Sequence, residues 1–463
     1  MYALTVEAVS ESPSELLEKG IYTEETKGDI DSAIAIYQRL IAESDVNRSL
    51  AAEAQFRLGE CFLKKNRTAD ATAAFKKLIQ DFPQEKKLVA KARQYLPKDI
   101  VFGPVPWIDG ERLQLNMSAA GGADIGTAEY RADFVQQANG QKTWRVGCRL
   151  MAGPQSVSSV DADADSFRPI SSHWKHSMLG EVWATYGTDE VKIKRAGNPA
   201  PSTIPMEGAV LDNEEAMHAM RRLPLQVGYK TTLPIITPLG GSAISIGLEV
   251  VGKETVEVPA GKFDCFKVHL SLVNQDFWFS DDAHRYIVKF EAGPLLAQLA
   301  SITQRRPDEP VKFQDDELGI AFTAPPNWVV WRAKHGQPDG QVLIRTLDPD
   351  ADTTDGGMRL FATDMLSEAA RQSSRAWAEE YAAQNKTGNV KIRPDSWQNV
   401  VIDGRSGVSY VAEGSTNGKQ WVQYLVQVLG QKNSELFVLT CPLDKFDALK
   451  PQFDSIMASY RTH

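Results

Sequence analysis

The sequence lacks any long run of apolar residues. A helix that spans a bilayer needs about 18 to 20 consecutive apolar residues, whereas the longest candidates here, such as 425–429, have the length of a strand. The first 13 residues also lack the basic and apolar segments of a secretory signal peptide. We therefore expect no membrane span. Both an exported chain without its signal and a cytoplasmic chain are compatible with this N-terminus.

Cysteine and positive charge are also scarce. The four cysteines are isolated and form no Cys-x-x-Cys pair, which argues against a zinc or redox motif. Whether Cys148 and Cys265 form a disulfide stays open at this point. Lys and Arg number 51 against 60 Asp and Glu, for a net charge of -9. Because this excess of negative charge repels phosphates, we do not expect a nucleic-acid partner.

Catalytic motifs are absent as well. The chain contains no G-x-S-x-G elbow, no P-loop, no G-x-G-x-x-G and no H-E-x-x-H. We therefore predict that the protein is not an enzyme and has neither catalytic residues nor a cofactor. An unrecognised hydrolase whose residues meet only in the fold is the remaining catalytic alternative.

Three polar clusters imitate metal sites. His173 and His176 form an H-x-x-H, but their context is strand-like, where residues three apart point to opposite faces. The acidic runs that begin at Asp161 and Asp348 resemble the opening of a calcium loop, yet both lack its turn glycine and its final glutamate. We therefore predict no metal site.

The length of 463 residues indicates about three domains. Helical periodicity gives way after Lys98 to short alternating runs separated by turn residues, and a polar, proline-bearing segment at 305–310 reads as a linker. The predicted fold class is α+β multidomain. The predicted boundaries are 13–98 for helical repeats, 99–304 for an antiparallel β-rich domain and 312–463 for an α+β domain.

The helical region contains a repeat of helix pairs. From Ala52, small and aromatic residues recur at fixed spacings: Leu58, Gly59, Phe62, Ala71, Phe75 and Pro83. This pattern resembles the tetratricopeptide repeat (TPR). An earlier, looser copy begins near Ser14, with Ile21 and Glu24 in place of the glycine and the aromatic residue. Ser12 and Pro13 predict the helix start, and a last helix at 84–96 would cover the exposed end of the repeats.

The middle region resembles the bacterial domain-of-unknown-function family 3108. The resemblance rests on VEVPAGKFDCFKV (256–268), on FWFSDDAHRYIVKFE (277–291) and on LPLQVGYKTTLPI from Leu223. It implies a curved antiparallel sheet or half-barrel, similar in outline to lipoprotein carriers, and an exported protein, but no activity. Asp212 is expected to cap one short helix in this region. The aromatic run Phe277–Phe279 is interpreted as core, with the lining of a ligand cavity as the alternative.

The C-terminal region resembles the PsbP-like α/β sandwich. FQDDELGIAFTAPPNWVV is followed by a helix from Ser373, by strands at 400–412 and 421–429, and by the segment LFVLTCPLDKFDALKPQFDSIMASYR. The order of these pieces carries the resemblance, over residues 313–461. PsbP-like domains mostly bind partners or act in assembly, so a similar role is implied here.

Together these observations predict a non-catalytic scaffold of the bacterial cell envelope, located in the periplasm or otherwise outside the cytoplasm. A TPR groove is predicted to bind a protein or peptide through five residues of one helix: Glu53, Phe56, Glu60, Leu63 and Lys64. The alternative function is a carrier that holds a lipid or other apolar molecule in the middle β-domain.

Overall fold

A computed structural model describes residues 11–463 except 43–46, 66, 96–99, 154, 199, 207, 327, 334–340, 348–354, 385–389 and 417. The chain divides into two compact units. One contains the residues up to Ile100 together with Thr231–Pro234 and Ala243–Gly247, and the other contains the remainder. None of the described helices is long and apolar enough to cross a membrane.

The N-terminal region is helical, as predicted. Its helices are α1 (Pro13–Ile21), α2 (Ile30–Ala42), α3 (Arg48–Lys64), α4 (Thr68–Asp81) and α5 (Lys86–Tyr95). The predicted start of α1 is confirmed, because Ser12 and Glu15 form a reciprocal capping box and Pro13 opens the first turn. Consecutive helices pack in pairs around a shared apolar core, which includes Tyr37 and Phe75.

In each helix hairpin, a glycine of the first helix packs directly against an aromatic ring of the second helix. A Cβ on Gly59 would lie 2.6 Å from Phe75 Cε1, and a Cβ on Gly20 would lie 2.5 Å from Tyr37 Cε1. Gly20, and not Ile21 as the sequence spacing indicated, is therefore the counterpart of Gly59. The spacing misled because α1 continues into a π-helical turn at Tyr22–Thr26, and a π-helical turn accommodates one extra residue.

The middle region forms one antiparallel sheet of 15 strands with a short parallel pair at one edge. The strands are β1 (Glu111–Ser118), β2 (Asp124–Gln136), β3 (Lys142–Ala152), β4 (Gln155–Asp163), β5 (Pro169–His176), β6 (Gly180–Tyr186), β7 (Glu190–Arg195), β8 (Ser202–Pro205), β9 (Leu211–Asp212), β10 (Lys230–Thr237), β11 (Ser242–Val258), β12 (Gly261–Leu270), β13 (Gln275–Ser280), β14 (Ile287–Ala292) and β15 (Leu295–Gln304). The order in the sheet runs from β8 down to β1, then from β15 down to β9.

The sheet curves so that its two ends approach each other. Val182 and Ile193, on β6 and β7, share an apolar cluster with Ile236 of β10, and β5 contacts β9. Helix α6 (Glu215–Arg221) follows β9 and packs against β3. The prediction that Asp212 caps this helix is wrong, because the N-cap is Glu214 and no side chain caps the helix. The Asp212 carboxylate instead accepts a hydrogen bond from the Glu214 backbone N–H at 2.9 Å in the turn before the helix.

The C-terminal region combines two sheets with two helices. Its strands are β16 (Val311–Asp315), β17 (Ile320–Ala324), β18 (Val329–Ala333), β19 (Gln341–Leu347), β20 (Asp355–Ala362), β21 (Lys391–Ile392), β22 (Gln398–Ile402), β23 (Arg405–Thr416), β24 (Lys419–Val428), β25 (Asn433–Pro442) and β26 (Arg461–Thr462), and its helices are α7 (Ser374–Gln384) and α8 (Phe446–Ser459). One sheet has the order β16-β17-β26, and the other runs β18-β19-β20-β25-β24-β23-β21 with β22 paired to β23. Helix α7 packs on β23 and β24, and α8 packs on β17 and β25.

The segment that follows β15 forms polar contacts with the β-rich region before it and with the C-terminal region after it. Arg305 is only 9% exposed. Its guanidinium donates to the backbone oxygens of Pro326 at 2.7 Å and Glu309 at 3.1 Å, and it lies 3.5 Å from the Glu129 carboxylate on β2. The Gln114 side chain also donates to the Val330 carbonyl at 2.8 Å. The polar face of β1 and β2 is therefore covered by the beginning of the C-terminal region.

Candidate functional site

The predicted groove residues lie on α3, between α1 and α5. Lys64 is exposed, and Glu53, Glu60 and Leu63 are half-buried. Phe56 differs from the other four, because it is 5% exposed and packs against the rings of Phe75 and Tyr95. The prediction that Phe56 anchors a partner is therefore wrong. Phe56 is a core residue, because other residues of this chain already cover its ring.

A buried carboxylate joins α3 to the π-helical turn that follows α1. Glu24 is 4% exposed, and it accepts hydrogen bonds from Tyr37 Oη at 2.6 Å, Lys64 Nζ at 2.7 Å and Arg57 Nη1 at 3.2 Å. Burial alone would raise the pKa of Glu24, but these three donors together hold it below its usual value. In the sequence pattern, Glu24 stood only as a departure from the repeat, at a position where an aromatic residue is expected. The structure shows it as the polar centre of this helix face.

The other charged residues of the face are arranged around this centre. Arg57 lies 2.9 Å from Glu25 and 3.5 Å from Glu53. Glu60 accepts a hydrogen bond from Tyr95 Oη at 3.3 Å, and burial, with the negative charge of Glu24, raises the pKa of Glu60. The first helices of the repeats thus present a face of mixed charge on which Lys64, Glu25 and Tyr95 remain about half exposed.

A second polar cluster surrounds α6 inside the curved sheet. Asp212, Glu214, Glu215 and His218 are each at most 7% exposed. The Asp212 backbone N–H donates to Glu215 at 3.1 Å, and the Asp212 carboxylate accepts a 2.5 Å hydrogen bond from Tyr186 Oη. Neither ring nitrogen of His218 has a hydrogen-bond partner among the described residues. Sequence reasoning missed this cluster, because its members look like the polar face of an amphipathic helix.

Burial controls the protonation of this cluster. It raises the pKa of Glu214 to about 7 and the pKa of Glu215 well above the usual range. Burial and the positive charge of Arg221 hold the pKa of His218 well below its usual value. A neutral histidine is therefore enclosed beside carboxyl groups that resist ionisation. Because these side chains are shielded from solvent, we assign them to holding α6 on the sheet rather than to meeting a substrate.

The residues considered as metal ligands have other partners. His173 lies 2.7 Å from Glu181 and stacks on Trp183, whereas His176 accepts hydrogen bonds from two backbone N–H groups in the next turn. Asp161 forms a two-point ion pair with Arg145. The run Asp348, Asp350 and Asp352 lies outside the described residues. Cys148 and Cys265 are free and buried, as are Cys61 and Cys441.

An open cleft of about 320 Å³ lies in the C-terminal region. Lys391, Glu413 and Gln420 contribute polar groups to it, and Leu443 contributes an apolar wall. The Trp421 indole lies across Gly414 on the paired strand, where a Cβ would clash with the ring. The sequence did not point to this cleft, because its walls come from strands and turns that are distant along the chain.

Comparison with known proteins confirms two of the three predicted resemblances. Residues 23–86 match the tetratricopeptide repeat family. Residues 114–295 match a family described as "Protein of unknown function (DUF3108)". No curated protein matches the chain. The chain thus has helical repeats followed by a β-rich region that matches a family without assigned function.

Solved structures resemble the chain only in part. PsbP from Synechocystis is 13% identical, with 34% of this chain and 94% of that chain covered and a TM-score of 0.27. A protein of domain of unknown function DUF1849 from Brucella abortus is 14% identical, with 44% and 100% covered and a TM-score of 0.30. LpqN from Mycobacterium tuberculosis, involved in cell envelope biogenesis, is 14% identical, with 34% and 91% covered and a TM-score of 0.22.

Proposed function

We propose that the chain is a non-catalytic scaffold that binds a protein or peptide through the face formed by α1, α3 and α5. The tetratricopeptide match at residues 23–86 supports protein–protein interaction as the role of this region. The observation that carries the proposal is the mixed-charge network centred on Glu24, which fixes Lys64 and Arg57 in place on this face.

The chemistry of the face favours a peptide that carries both charges and an apolar residue. Lys64 and Glu53 offer opposite charges to a partner, while Leu63 adds a half-buried apolar surface on the same helix. Since the Glu24 carboxylate already orients Lys64, binding would cost little side-chain entropy at that position. Phosphates are disfavoured because Glu25, Glu53 and Glu60 lie on the same face.

The test compares two double variants of the full chain in capture experiments from the native cell extract. Glu53→Ala/Lys64→Ala removes one charge of each sign from the proposed face, and Asp70→Ala/Lys77→Ala makes a charge-matched change at exposed positions of α4. We expect the first variant to lose the captured partners, with binding weakened by about tenfold or more, and the second to retain them. Equal capture by both variants would move the binding site away from this face.

The carrier alternative keeps its place as a proposal, although the structure gives it less support than the scaffold. The Phe277, Trp278 and Phe279 side chains are all at most 3% exposed. Trp278 lies between the ammonium groups of Lys267 and Lys289 at 4.9 and 4.3 Å. The interior next to β1–β3 is occupied by α6 and its polar cluster. A lipid would therefore have to displace the chain's own helix.

The remaining parts of the proposal concern the C-terminal region and the location. We propose that residues 312–463 form a PsbP-like sandwich, a third functional region after 13–98 and 99–304, and that it contributes a further binding or assembly surface. The family that the middle region resembles in sequence favours a place outside the cytoplasm. Fractionation of the source cells, with a periplasmic and a cytoplasmic marker enzyme as controls, tests the location.

A further inference from the structure

The turns at one end of the 15-stranded sheet carry no charge. Five turns at this end are fully described: 119–123, 177–179, 238–241, 271–274 and 293–294. Their sequences are AAGGA, SML, PLGG, SLVN and GP, without a single Asp, Glu, Lys, Arg or His. We call these five turns the uncharged rim. Charged residues make up 24% of the chain, so their absence from five separate turns needs a physical reason.

The strand register places these turns at a common end. Ser118 pairs with both Asp124 and Leu296, so the turns 119–123 and 293–294 lie side by side. Gln275 pairs with Leu270 and Ala292, which adds the turn 271–274. At the far side of the curved sheet, the guanidinium of Arg195 at the end of β7 donates to the carbonyls of Pro238 and Leu239.

Three of the five fully described hairpin turns at the opposite end of the same sheet carry charge. They contain Asp165 and Arg168 after β4, Asp189 after β6, and the run from Asp281 to Arg285 after β13. Alternate turns of an antiparallel meander fall at opposite ends. The opposite-end turns 137–141 and 259–260 are uncharged as well, so the two ends differ in their number of charged turns, none against three. Turn-forming residues alone do not explain this asymmetry, because Asp and Asn suit both ends equally.

The uncharged rim also exposes large apolar side chains. Met178 and Leu179 are 76% and 59% exposed, and Leu272 and Val273 are 48% and 39% exposed. Cations outnumber acids on the strands behind the turn 177–179, with Lys175, Lys194 and Arg195 against Glu181. The chain as a whole is acidic, and Asp124, Asp276 and Glu291 lie next to other turns of the rim. The local excess of positive charge therefore belongs to the turn 177–179.

We propose that the uncharged rim docks on the surface of a lipid bilayer that contains anionic lipids. Apolar tips that sit on separate turns, with small residues between them, can enter a planar apolar phase together without forming one contiguous patch. A protein partner would instead favour a continuous patch rich in Tyr, Trp and Arg. The cations behind the tips meet anionic headgroups, whose attraction adds to the apolar contribution. This surface is separate from the helix face proposed above to bind a peptide.

Sedimentation of the full chain with vesicles tests the proposal. We expect binding to vesicles of phosphatidylcholine with phosphatidylglycerol, and weaker binding to pure phosphatidylcholine or at high salt. Met178→Asp/Leu179→Asp should lower the partition coefficient by at least about tenfold. The control Ile108→Asp, at an apolar position 46% exposed just before β1 at the opposite end of the sheet, should bind like the unsubstituted chain. Absence of vesicle binding, or equal binding of both variants, overturns the proposal.

A second measurement distinguishes membrane contact of the rim from misfolding of a variant and from self-association of the chain. Because the four native cysteines are buried, Met178→Cys can be labelled selectively with an environment-sensitive fluorophore. Its emission should shift to the blue on anionic vesicles, whereas the same label at Ile108→Cys should not shift. Sedimentation equilibrium of the same samples without lipid should show no rim-dependent dimer. A dimer that Met178→Asp/Leu179→Asp dissolves, together with unshifted fluorescence, would assign the rim to a second copy of the chain and refute the membrane assignment.

Discussion

Arg221 and Glu111, separated by 110 residues in sequence, form an ion pair at 2.7 Å in the interior of the β-rich domain. The side chain of Arg221 is fully buried and that of Glu111 is 4% exposed. The same guanidinium donates to the backbone oxygens of His284 and Arg285 and lies over the Trp107 ring at 5.3 Å. One side chain of α6 therefore ties together β1, the segment before it and the turn after β13.

Removing one partner of this pair should destabilise the β-rich domain. Arg221→Met leaves the Glu111 carboxylate buried without its cation, so we expect the free energy of unfolding to fall by roughly 3–5 kcal/mol. Glu111→Leu/Arg221→Met removes both charges and should recover a large part of that loss. Urea denaturation followed by tryptophan fluorescence measures both variants. A double variant as unstable as Arg221→Met would show that the pair is not the source of the effect.

The close contact at Gly20 predicts that both hairpins fail in the same way. Gly20→Leu and Gly59→Leu each place a side chain where an aromatic ring already lies, so each should abolish the cooperative melting of the helical region. Lys77→Leu, an exposed position of α4, is the control and should leave the melt nearly unchanged. Circular dichroism at 222 nm provides the measurement. A stable Gly20→Leu variant would contradict the π-turn account of the first repeat.

Glu214 should make stability depend on pH in one direction. Burial raises its pKa from 4.5 to about 7, so the folded chain retains a proton that the unfolded chain has released. The contribution of Glu214 to stability is therefore largest below pH 4.5, falls as the pH rises toward 7 and is constant above that. Glu214→Gln should become more stable than the unsubstituted chain by an amount that grows over this range, on the order of 2–3 kcal/mol.

The control for this pH effect is Glu257→Gln, a matched change at an exposed position of β11. Its difference in unfolding free energy from the unsubstituted chain should stay flat between pH 4.5 and 8. Chemical denaturation at several pH values compares the three proteins. If Glu214→Gln and Glu257→Gln give parallel curves, the Glu214 carboxyl titrates normally in the fold and its assigned burial is wrong.

Arg305 should couple the β-rich domain to the C-terminal region. Arg305→Gln removes the hydrogen bonds to Pro326 and Glu309, and we expect faster amide hydrogen exchange over residues 305–333 together with a split thermal transition. Arg306→Gln changes a neighbouring arginine whose side chain is 73% exposed and should alter neither. The two arginines respond identically only if the segment is a free linker.

Much of the coarse architecture could be predicted because it follows from the local spacing of apolar, small and turn-forming residues. The spacing of Gly59, Phe62 and Phe75 defines one helix hairpin within 17 residues, and the resulting repeat assignment is confirmed by the family match. The strands of the middle domain could be predicted from the alternation of apolar and polar residues and from the turn residues between them. The predicted family resemblance of this domain is confirmed as well. Phe56 shows the limit of this approach, since helix periodicity gives its face but not whether Tyr95 covers it.

The sequence by itself determined the helical repeats, the β-rich middle and the helix cap at Ser12, because each depends on contacts between residues near in the chain. Tertiary structure alone decided the ion pair of Arg221 with Glu111, the burial of Arg305 in a segment that reads as a linker, and the meeting of uncharged turns at one end of the sheet. These features depend on strand register and on sheet curvature. Both are set by the packing of residues as far apart in sequence as Glu111 and Gln304, which no local pattern records.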